Sequence, residues 1–173
     1  AVQPGEAVLI TGASGGVGIH AVQVARMLGA RTIAVTTSEA KRAFLVEHGA
    51  DDVIVSPDLD FAAQARALTG GAGVDVVFNI VGQMAWAAAL KAMAQGARHV
   101  FVGNLNAAPV SLRPAHAILK EMSFLGTDGV TLADAQAGDQ AELTFTATSG
   151  TQITRVRMWR ATGKDEDNDW WPY

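Results

Sequence analysis

Cysteine is absent from this sequence of 173 residues. Disulfides, thiolate nucleophiles and cysteine-ligated metals are therefore excluded within the chain. A histidine metal site is not expected either, because the four histidines lack the spacing of a metal-binding motif and are scattered at His20, His48, His99 and His116. The lack of cysteine is compatible with a reducing compartment, and we expect a cytoplasmic location.

Basic clusters and long apolar segments are lacking as well. Charged residues make up 17% of the chain, the formal net charge is −4, and no stripe of Lys and Arg occurs, which argues against a nucleic-acid partner. No uncharged apolar run is long enough to span a bilayer, so no membrane association is expected. Residues 1–6 contain neither a signal peptide nor an initiating Met, and we interpret the chain as an excised or processed fragment.

Short β-rich segments alternate regularly with helical segments through most of the chain. The apolar runs have the composition of strands buried on both faces, at 7–11, 32–36, 53–55, 74–79, 99–102 and 123–125. Helical patterns lie between them, including 61–68, 84–93 and 114–120, and the first helix is expected to bury Val17, Ala21, Val24, Ala25 and Leu28. This order predicts an α/β fold with a doubly wound parallel sheet, a Rossmann fold of three α/β/α layers.

The alternation stops near Asp134. We therefore predict a Rossmann domain over residues 1–133 and an atypical C-terminal segment over 134–173. Within that segment, residues 143–147 and 153–159 flank a Ser-Gly turn signal, which is typical of a β-hairpin. The final residues, 164–173, are acidic and then aromatic, and we expect a poorly ordered tail.

The segment after the first strand is rich in glycine. A pyrophosphate is best held where free backbone N–H groups and a positive helix dipole converge. Such a loop stands before the first helix, with alanine replacing the first glycine of G-x-G-x-x-G, in the residues Ala13, Ser14, Gly15, Gly16, Val17 and Gly18. Gly15 is expected to admit the phosphates, and Gly18 to let the helix pack on the sheet. Because a strand precedes the loop and a helix follows it, we predict a dinucleotide site rather than a structural turn.

Other classes of glycine-rich loop fit this sequence less well. A nucleoside triphosphate loop is excluded, because no Gly-Lys-Ser/Thr follows. Residues 11–18 also fit the loop of short-chain dehydrogenases, but that alternative lacks its Tyr-x-x-x-Lys pair, since the sole tyrosine is the last residue, Tyr173. An S-adenosylmethionine site would place a carboxylate after the second strand, where the sequence has Thr36, Thr37 and Ser38.

The end of the second strand favours NADPH over NADH. An NAD site usually places Asp or Glu there to bond the ribose 2′-hydroxyl. Here Thr37 and Ser38 offer hydroxyls to a 2′-phosphate, and the nearby Lys41 and Arg42 offer positive charge. Glu39 is the alternative, because its carboxylate can accept a ribose hydroxyl. Ser38 is also expected to cap the following helix.

A polar residue, Asn79, ends the fourth strand. A polar side chain at the end of a buried apolar strand must find a partner. Ligands of doubly wound sheets bind outside the carboxyl ends of the strands. Asn79 is therefore a candidate functional residue.

Together these segments resemble the medium-chain dehydrogenase/reductase superfamily, and in particular its zinc-free quinone oxidoreductase branch. The match runs over residues 2–133, and its segments are 2–6, 13–18, 21–25, 29–30, 37–38 with Lys41, 49–51, 73–79 with Gly82, and Gly103. The resemblance implies that the glycine loop holds the pyrophosphate. It also implies a nicotinamide end near Asn79, Val81 and Gly103.

Members of this branch are oxidoreductases that move a hydride from NADPH to a quinone or an activated alkene or carbonyl. The resemblance therefore implies an NADPH-binding domain whose partner is a small-molecule electron acceptor. It also implies a homodimer formed through the sheet edge at Ser123–Leu125. The family's substrate domain precedes the cofactor domain and does not occur in this sequence, so a catalytically inactive cofactor-binding or dimerisation fragment is the alternative.

Overall fold

A parallel sheet is the centre of the structure. The computed structural model describes residues 2–103, 105, 108–126, 141–146 and 152–158. Its six parallel strands are β1 (Ala7–Ile10), β2 (Arg31–Thr36), β3 (Asp52–Val55), β4 (Val74–Asn79), β5 (Met93–Phe101) and β6 (Ser123–Gly126). They lie in the order β3-β2-β1-β4-β5-β6, and every neighbouring pair is parallel. The predicted doubly wound fold is confirmed.

Helices cover both faces of this sheet. The described helices are α1 (Gly16–Met27), α2 (Arg42–Glu47), α3 (Ala62–Leu68), α4 (Gln83–Ala92) and α5 (Pro114–Lys120), and a 3-10 turn (Glu39–Lys41) precedes α2. One apolar core joins the sheet to α3 and α4, and a second joins it to α1 and α2. Successive side chains of a strand point to opposite faces, so Leu9 belongs to the first core and Val8 to the second. The three predicted layers are therefore present.

The inward face of α1 differs from the predicted face. The structure buries Gly18, Val22 and Ala25, and it leaves Val17 with 55% of its surface exposed. The prediction that Val17 belongs to the buried stripe is wrong. The close packing of Gly18 against the preceding loop sets the rotation of the helix. This contact cannot be recognised from the spacing of apolar residues.

Strand β5 is longer than the sequence indicates. It begins at Met93, which pairs with Val74, whereas the apolar pattern predicted a strand only from His99 and a helix ending at Met93. Gln95 and Gly96 in its first half are exposed and resemble loop residues in the sequence. Pairing with β4, with a register shift between Val74 and Val76, overrides that local signal.

The chain divides into two compact units, Ala1–Thr127 and Asp128–Tyr173. In the second unit, β7 (Ala141–Thr146) pairs with β8 (Gln152–Met158) in antiparallel fashion. The predicted domain boundary at 133/134 and the predicted tail at 164–173 lie outside the described residues. None of the described helices combines the length and the apolar content that crossing a membrane requires.

Candidate cofactor-binding site

The glycine-rich loop turns sharply between β1 and α1. Gly12 adopts a φ of +62°, which favours glycine, and the N–H of Gly15 donates to the carbonyl of Gly12 at 3.0 Å. A Cβ at Gly18 would lie 2.6 Å from the Cα of Ala13. The first turn of α1 packs directly on the loop, and only glycine at position 18 permits this contact.

The outer side of the same loop is open. A Cβ at Gly16 would meet nothing within 4 Å, and one at Gly15 would meet only the Gly12 carbonyl oxygen, at 3.3 Å. The first N–H groups of a helix have no partner within the helix, and they lie at the positive end of its dipole. No acidic residue occurs in the first turn of α1, while Ser14 is half-buried and Val17 is exposed beside it. The loop therefore fits an anionic pyrophosphate.

The loop lies beside the ends of two other strands. The N–H of Ala13 donates to the carbonyl of Val35, near the end of β2, at 3.2 Å. A Cβ at Gly12 would lie 3.3 Å from Cγ2 of Val81, which follows β4. The predicted residues at these three strand ends are thus brought to one edge of the sheet.

Hydroxyl groups follow β2, as the sequence predicted. Thr36 is buried, Thr37 is exposed and Ser38 is half-buried. The predicted helix cap is wrong, because the Ser38 side chain makes no capping hydrogen bond. The residues after it form a 3-10 turn, in which the N–H of Lys41 donates to the Ser38 carbonyl at 3.1 Å. The N–H of Ser38 itself donates to Oγ1 of Thr36 at 3.4 Å.

Three charged residues, Glu39, Lys41 and Arg42, follow these hydroxyl groups. The Glu39 carboxylate accepts hydrogen bonds from Nε and Nη2 of Arg42, at 2.5 and 3.1 Å. These bonds hold the pKa of the Glu39 carboxyl below its usual value. Arg42 also donates to the carbonyl of Val53 at 2.8 Å. Lys41 is exposed, and no ion pair of its ammonium group is found among the described residues. Its positive charge is therefore not neutralised by any side chain that the structure describes.

Asn79 is fully buried at the end of β4. Its Oδ1 accepts from Oγ1 of Thr11 and from the N–H of Gly82, both at 2.9 Å. Its Nδ2 donates to the Gly82 carbonyl at 3.0 Å and points at Nε2 of His99 at 3.4 Å. The expectation that this polar side chain finds partners is confirmed. The partners are protein groups, so the side chain lies in the interior rather than on the surface of the site.

Thr11 is a residue that the sequence analysis missed. It is fully buried, and its Oγ1 accepts from the N–H groups of Ile80 and Val81, at 3.0 and 3.3 Å, while it donates to Asn79. A usable signal was present, because Thr11 also follows a buried apolar strand at its carboxyl end. Thr11, like Asn79, is a polar side chain at the end of a buried strand and must find a partner.

The residues after β5 lie against the turn after β4. The N–H of Gly103 donates to the carbonyl of Asn79 at 3.3 Å. A Cβ at Gly103 would lie 2.5 Å from the carbonyl oxygen of Ile80, so glycine is required where the two segments meet. The carbonyl of Val81 accepts from the N–H of Leu105 at 3.2 Å. Val81 and Gly103 thus belong to the same edge as the glycine loop.

His99 is buried on β5, behind Asn79. Its ring lies 5.0 Å from Trp86 and 4.3 Å from Phe101, measured between ring centroids. Burial lowers the pKa of His99 to about 4, so the ring is neutral near pH 7. Its Nδ1 is buried, and no hydrogen-bond partner for it is found in the part of the chain that the structure describes. No role of this histidine was predicted from the sequence.

The sequence of residues 16–143 matches a family model described as zinc-binding dehydrogenase. The match covers well over half of the chain and includes the glycine loop from Gly16 and the turns after β4 and β5. The chain belongs to the medium-chain dehydrogenase/reductase superfamily. The predicted resemblance to this superfamily is therefore confirmed. Among the residues that the structure describes, no three His, Asp or Glu side chains form a group able to hold a metal ion.

Several relatives of this superfamily domain are known. An acryloyl-coenzyme A reductase of Sulfurisphaera tokodaii is 41% identical over 136 residues, which are 78% of this chain and 39% of that protein. The crystal structure of AibC is 58% identical, with a TM-score of 0.70, and the match covers 72% of this chain and 35% of that one. The mycobacterial protein Rv1454c in complex with NADPH is 30% identical, with a TM-score of 0.66, over 73% of this chain and 40% of that one.

The chain spans only 39% of the length of the acryloyl-coenzyme A reductase that it matches. Within that part lie the Rossmann sheet and the glycine loop. It is an NADPH-binding domain of the type found in enoyl and quinone reductases of the superfamily. The predicted cofactor is confirmed at this level.

Proposed function

We propose that this domain provides NADPH for the reduction of an alkene conjugated to a thioester carbonyl. The observation that carries the choice of NADPH is the charge arrangement after β2. Lys41 is exposed without an ion pair among the described residues, whereas Glu39 is bound by Arg42. A 2′-phosphate is therefore attracted to this position, and the ribose hydroxyl of NADH gains no free carboxylate.

Each part of the cofactor is bound by residues at a different strand end. The N–H groups at the start of α1, with Gly15 and Gly16, hold the pyrophosphate. Thr37, Ser38 and Lys41 hold the 2′-phosphate. Val81 and Gly103, the residues next to the buried Asn79, border the nicotinamide, which supplies a hydride when NADPH is bound.

Two acceptors are compatible with such a site. An enoyl thioester is favoured, because the acryloyl-coenzyme A reductase is 41% identical to this chain. A quinone is the second candidate, since the sequence resembles the quinone oxidoreductase branch. Both acceptors take up a hydride at an electron-poor carbon or oxygen, and the cofactor domain serves either one in the same way.

Three finer properties belong to the same proposal. The enzyme is a homodimer joined through β6, an edge strand of the sheet whose Leu125 is 45% exposed. It works without zinc, in keeping with the branch that it resembles. It is cytoplasmic, in keeping with the lack of cysteine in the sequence.

Calorimetric titration of the chain with NADPH and with NADH tests the cofactor assignment. We expect NADPH to bind at least about tenfold more tightly, a difference of about 1.4 kcal/mol. Equal binding of the two would contradict the role of Lys41. NADPH consumption is then measured with acryloyl-coenzyme A and with a benzoquinone. Consumption with the thioester supports the proposal, consumption with the quinone alone supports the second candidate, and binding without consumption supports an inactive cofactor-binding fragment.

A further inference from the structure

The turn between β4 and α4, residues 80–82, is held by two buried side chains. The N–H groups of Ile80 and Val81 both donate to Oγ1 of Thr11, at 3.0 and 3.3 Å. The N–H of Gly82 donates to Oδ1 of Asn79 at 2.9 Å, and the carbonyl of Gly82 accepts from Nδ2 of Asn79 at 3.0 Å. All three N–H groups of the turn therefore end on Thr11 or Asn79.

The segment that follows β5 depends on the same residue. The backbone carbonyl of Asn79 accepts from the N–H groups of Val102 and Gly103, at 3.0 and 3.3 Å. Gly103 in turn packs on the Ile80 carbonyl so closely that a Cβ would lie 2.5 Å from its oxygen. The two segments that border the nicotinamide end in the proposed function thus share one anchor.

The hydrogen-bond directions in this network are determined by its chemistry. The Thr11 hydroxyl accepts from two N–H groups, and its single proton is donated to Oδ1 of Asn79 at 2.9 Å. The other end of the Asn79 amide is therefore the donor, and it faces the Gly82 carbonyl and Nε2 of His99. Both polar atoms of the Asn79 side chain have partners in a single orientation of the amide group. This network holds the turn in one conformation.

We propose that Thr11 and Asn79 are positioning residues for the nicotinamide end of the cofactor. Both side chains are fully buried, so they act through the 80–82 turn and the segment at Gly103 rather than by touching the cofactor. The inference rests on the proposed function, because it assumes that the nicotinamide lies beside these segments. A small displacement of a segment that positions a reacting group strongly lowers the reaction rate.

The test compares two ligands that share one half. NADPH and 2′-phospho-ADP-ribose have the same adenosine 2′-phosphate and pyrophosphate, but only NADPH carries nicotinamide. Thr11→Val keeps the shape of the side chain and removes the hydroxyl. We expect it to weaken NADPH binding about tenfold, the effect of losing buried hydrogen bonds. Binding of 2′-phospho-ADP-ribose is expected to stay within about twofold of the unaltered chain.

Two matched variants separate positioning from stability. Thr11→Ser keeps the hydroxyl. It is expected to bind NADPH as tightly as the unaltered chain does, with the same fluorescence of the bound dihydronicotinamide. Thr32→Val removes another buried hydroxyl, which bonds the Gly49 carbonyl at 3.1 Å and the Asp51 carboxylate at 2.9 Å before β3. It is expected to reduce stability without changing the ratio of the two affinities.

Asn79 is tested by a double-mutant cycle. Asn79→Ala is expected to weaken NADPH binding as Thr11→Val does, and the double variant to cost little more than Asn79→Ala alone, because both residues act through one turn. Additive effects would overturn the shared anchor. Equal loss of both ligands in Thr11→Val, no loss of either, or a Thr11→Ser variant as weak as Thr11→Val would overturn the proposal. An unaltered chain that binds no NADPH would instead overturn the proposed function itself.

Discussion

The guanidinium of Arg42 donates two hydrogen bonds to the carboxylate of Glu39, at 2.5 and 3.1 Å. The pair lies immediately after the hydroxyl residues that end β2. With Glu39 and Arg42 neutralising each other, Lys41 leaves a net positive charge at this strand end. That sign is the one a 2′-phosphate requires.

Replacement of Lys41 should therefore change cofactor preference rather than cofactor binding in general. Lys41→Ala is expected to weaken NADPH binding about tenfold through loss of one charge-assisted contact, and to leave NADH binding unchanged. Calorimetric titration of both cofactors measures the ratio. Lys91→Ala is the control, since Lys91 is an exposed lysine of α4. Equal losses for NADPH and NADH in Lys41→Ala would contradict this assignment.

Alanine substitutions at two glycines of the loop are expected to have different effects, one on cofactor binding and the other on stability. Gly15 has extended backbone angles of −82° and 171°, which alanine adopts readily. Gly15→Ala should change the free energy of unfolding by less than about 1 kcal/mol, yet weaken NADPH binding at least about tenfold because its methyl group meets the phosphates.

Gly18→Ala should instead lower the stability of the domain. Its Cβ would lie 2.6 Å from the Cα of Ala13, so the variant is expected to lose about 1–3 kcal/mol of stability. Urea unfolding and calorimetric titration of both variants check the two expectations. A Gly18→Ala chain as stable as the unaltered one would show that the loop and helix separate easily.

Acid should destabilise the domain through His99. The pKa of His99 is lowered from 6.5 to about 4 in the folded state by burial. Below pH 6.5 the unfolded chain takes up a proton that the folded chain does not, so stability falls as the pH decreases towards about 4. The slope from this group approaches about 1.4 kcal/mol per pH unit. Above its usual pKa, the histidine contributes no pH dependence.

His99→Phe isolates that contribution. Phenylalanine retains an aromatic ring against Trp86 and Phe101 but has no titrating nitrogen. Urea unfolding of both chains, at pH values above and between the two pKa values, should show a smaller loss of stability on acidification in the variant. Parallel curves for the two proteins would mean that His99 is protonated in the folded state as easily as in the unfolded one.

The outer edge of β6 should control assembly. Leu125→Lys places a charge on this edge strand, where charges oppose strand pairing. We expect the variant to elute as a monomer under conditions in which the unaltered chain forms a dimer, as measured by light scattering after gel filtration. Val46→Lys is the control, because Val46 is 54% exposed on α2. A dimer that persists in Leu125→Lys contradicts assembly through β6.

Local patterns were informative wherever burial and backbone conformation dominate. The apolar runs predicted the strands, because a parallel strand is buried on both faces. The glycine loop predicted a helix start, because only glycine allows the approach seen at Gly18. Where long-range pairing dominates, the patterns failed. The first half of β5, including Gln95 and Gly96, is a strand only because β4 lies beside it.

The sequence by itself determined the parallel sheet, the glycine loop, the family and the hydroxyl residues after β2, since each depends on residues close together in the chain. Only the tertiary structure decided which charges remain available and which polar groups support the site. Glu39 is bound by Arg42 through side-chain geometry that the sequence leaves open. Thr11 and Asn79 meet across 68 positions of the chain, because parallel pairing brings the ends of β1 and β4 together.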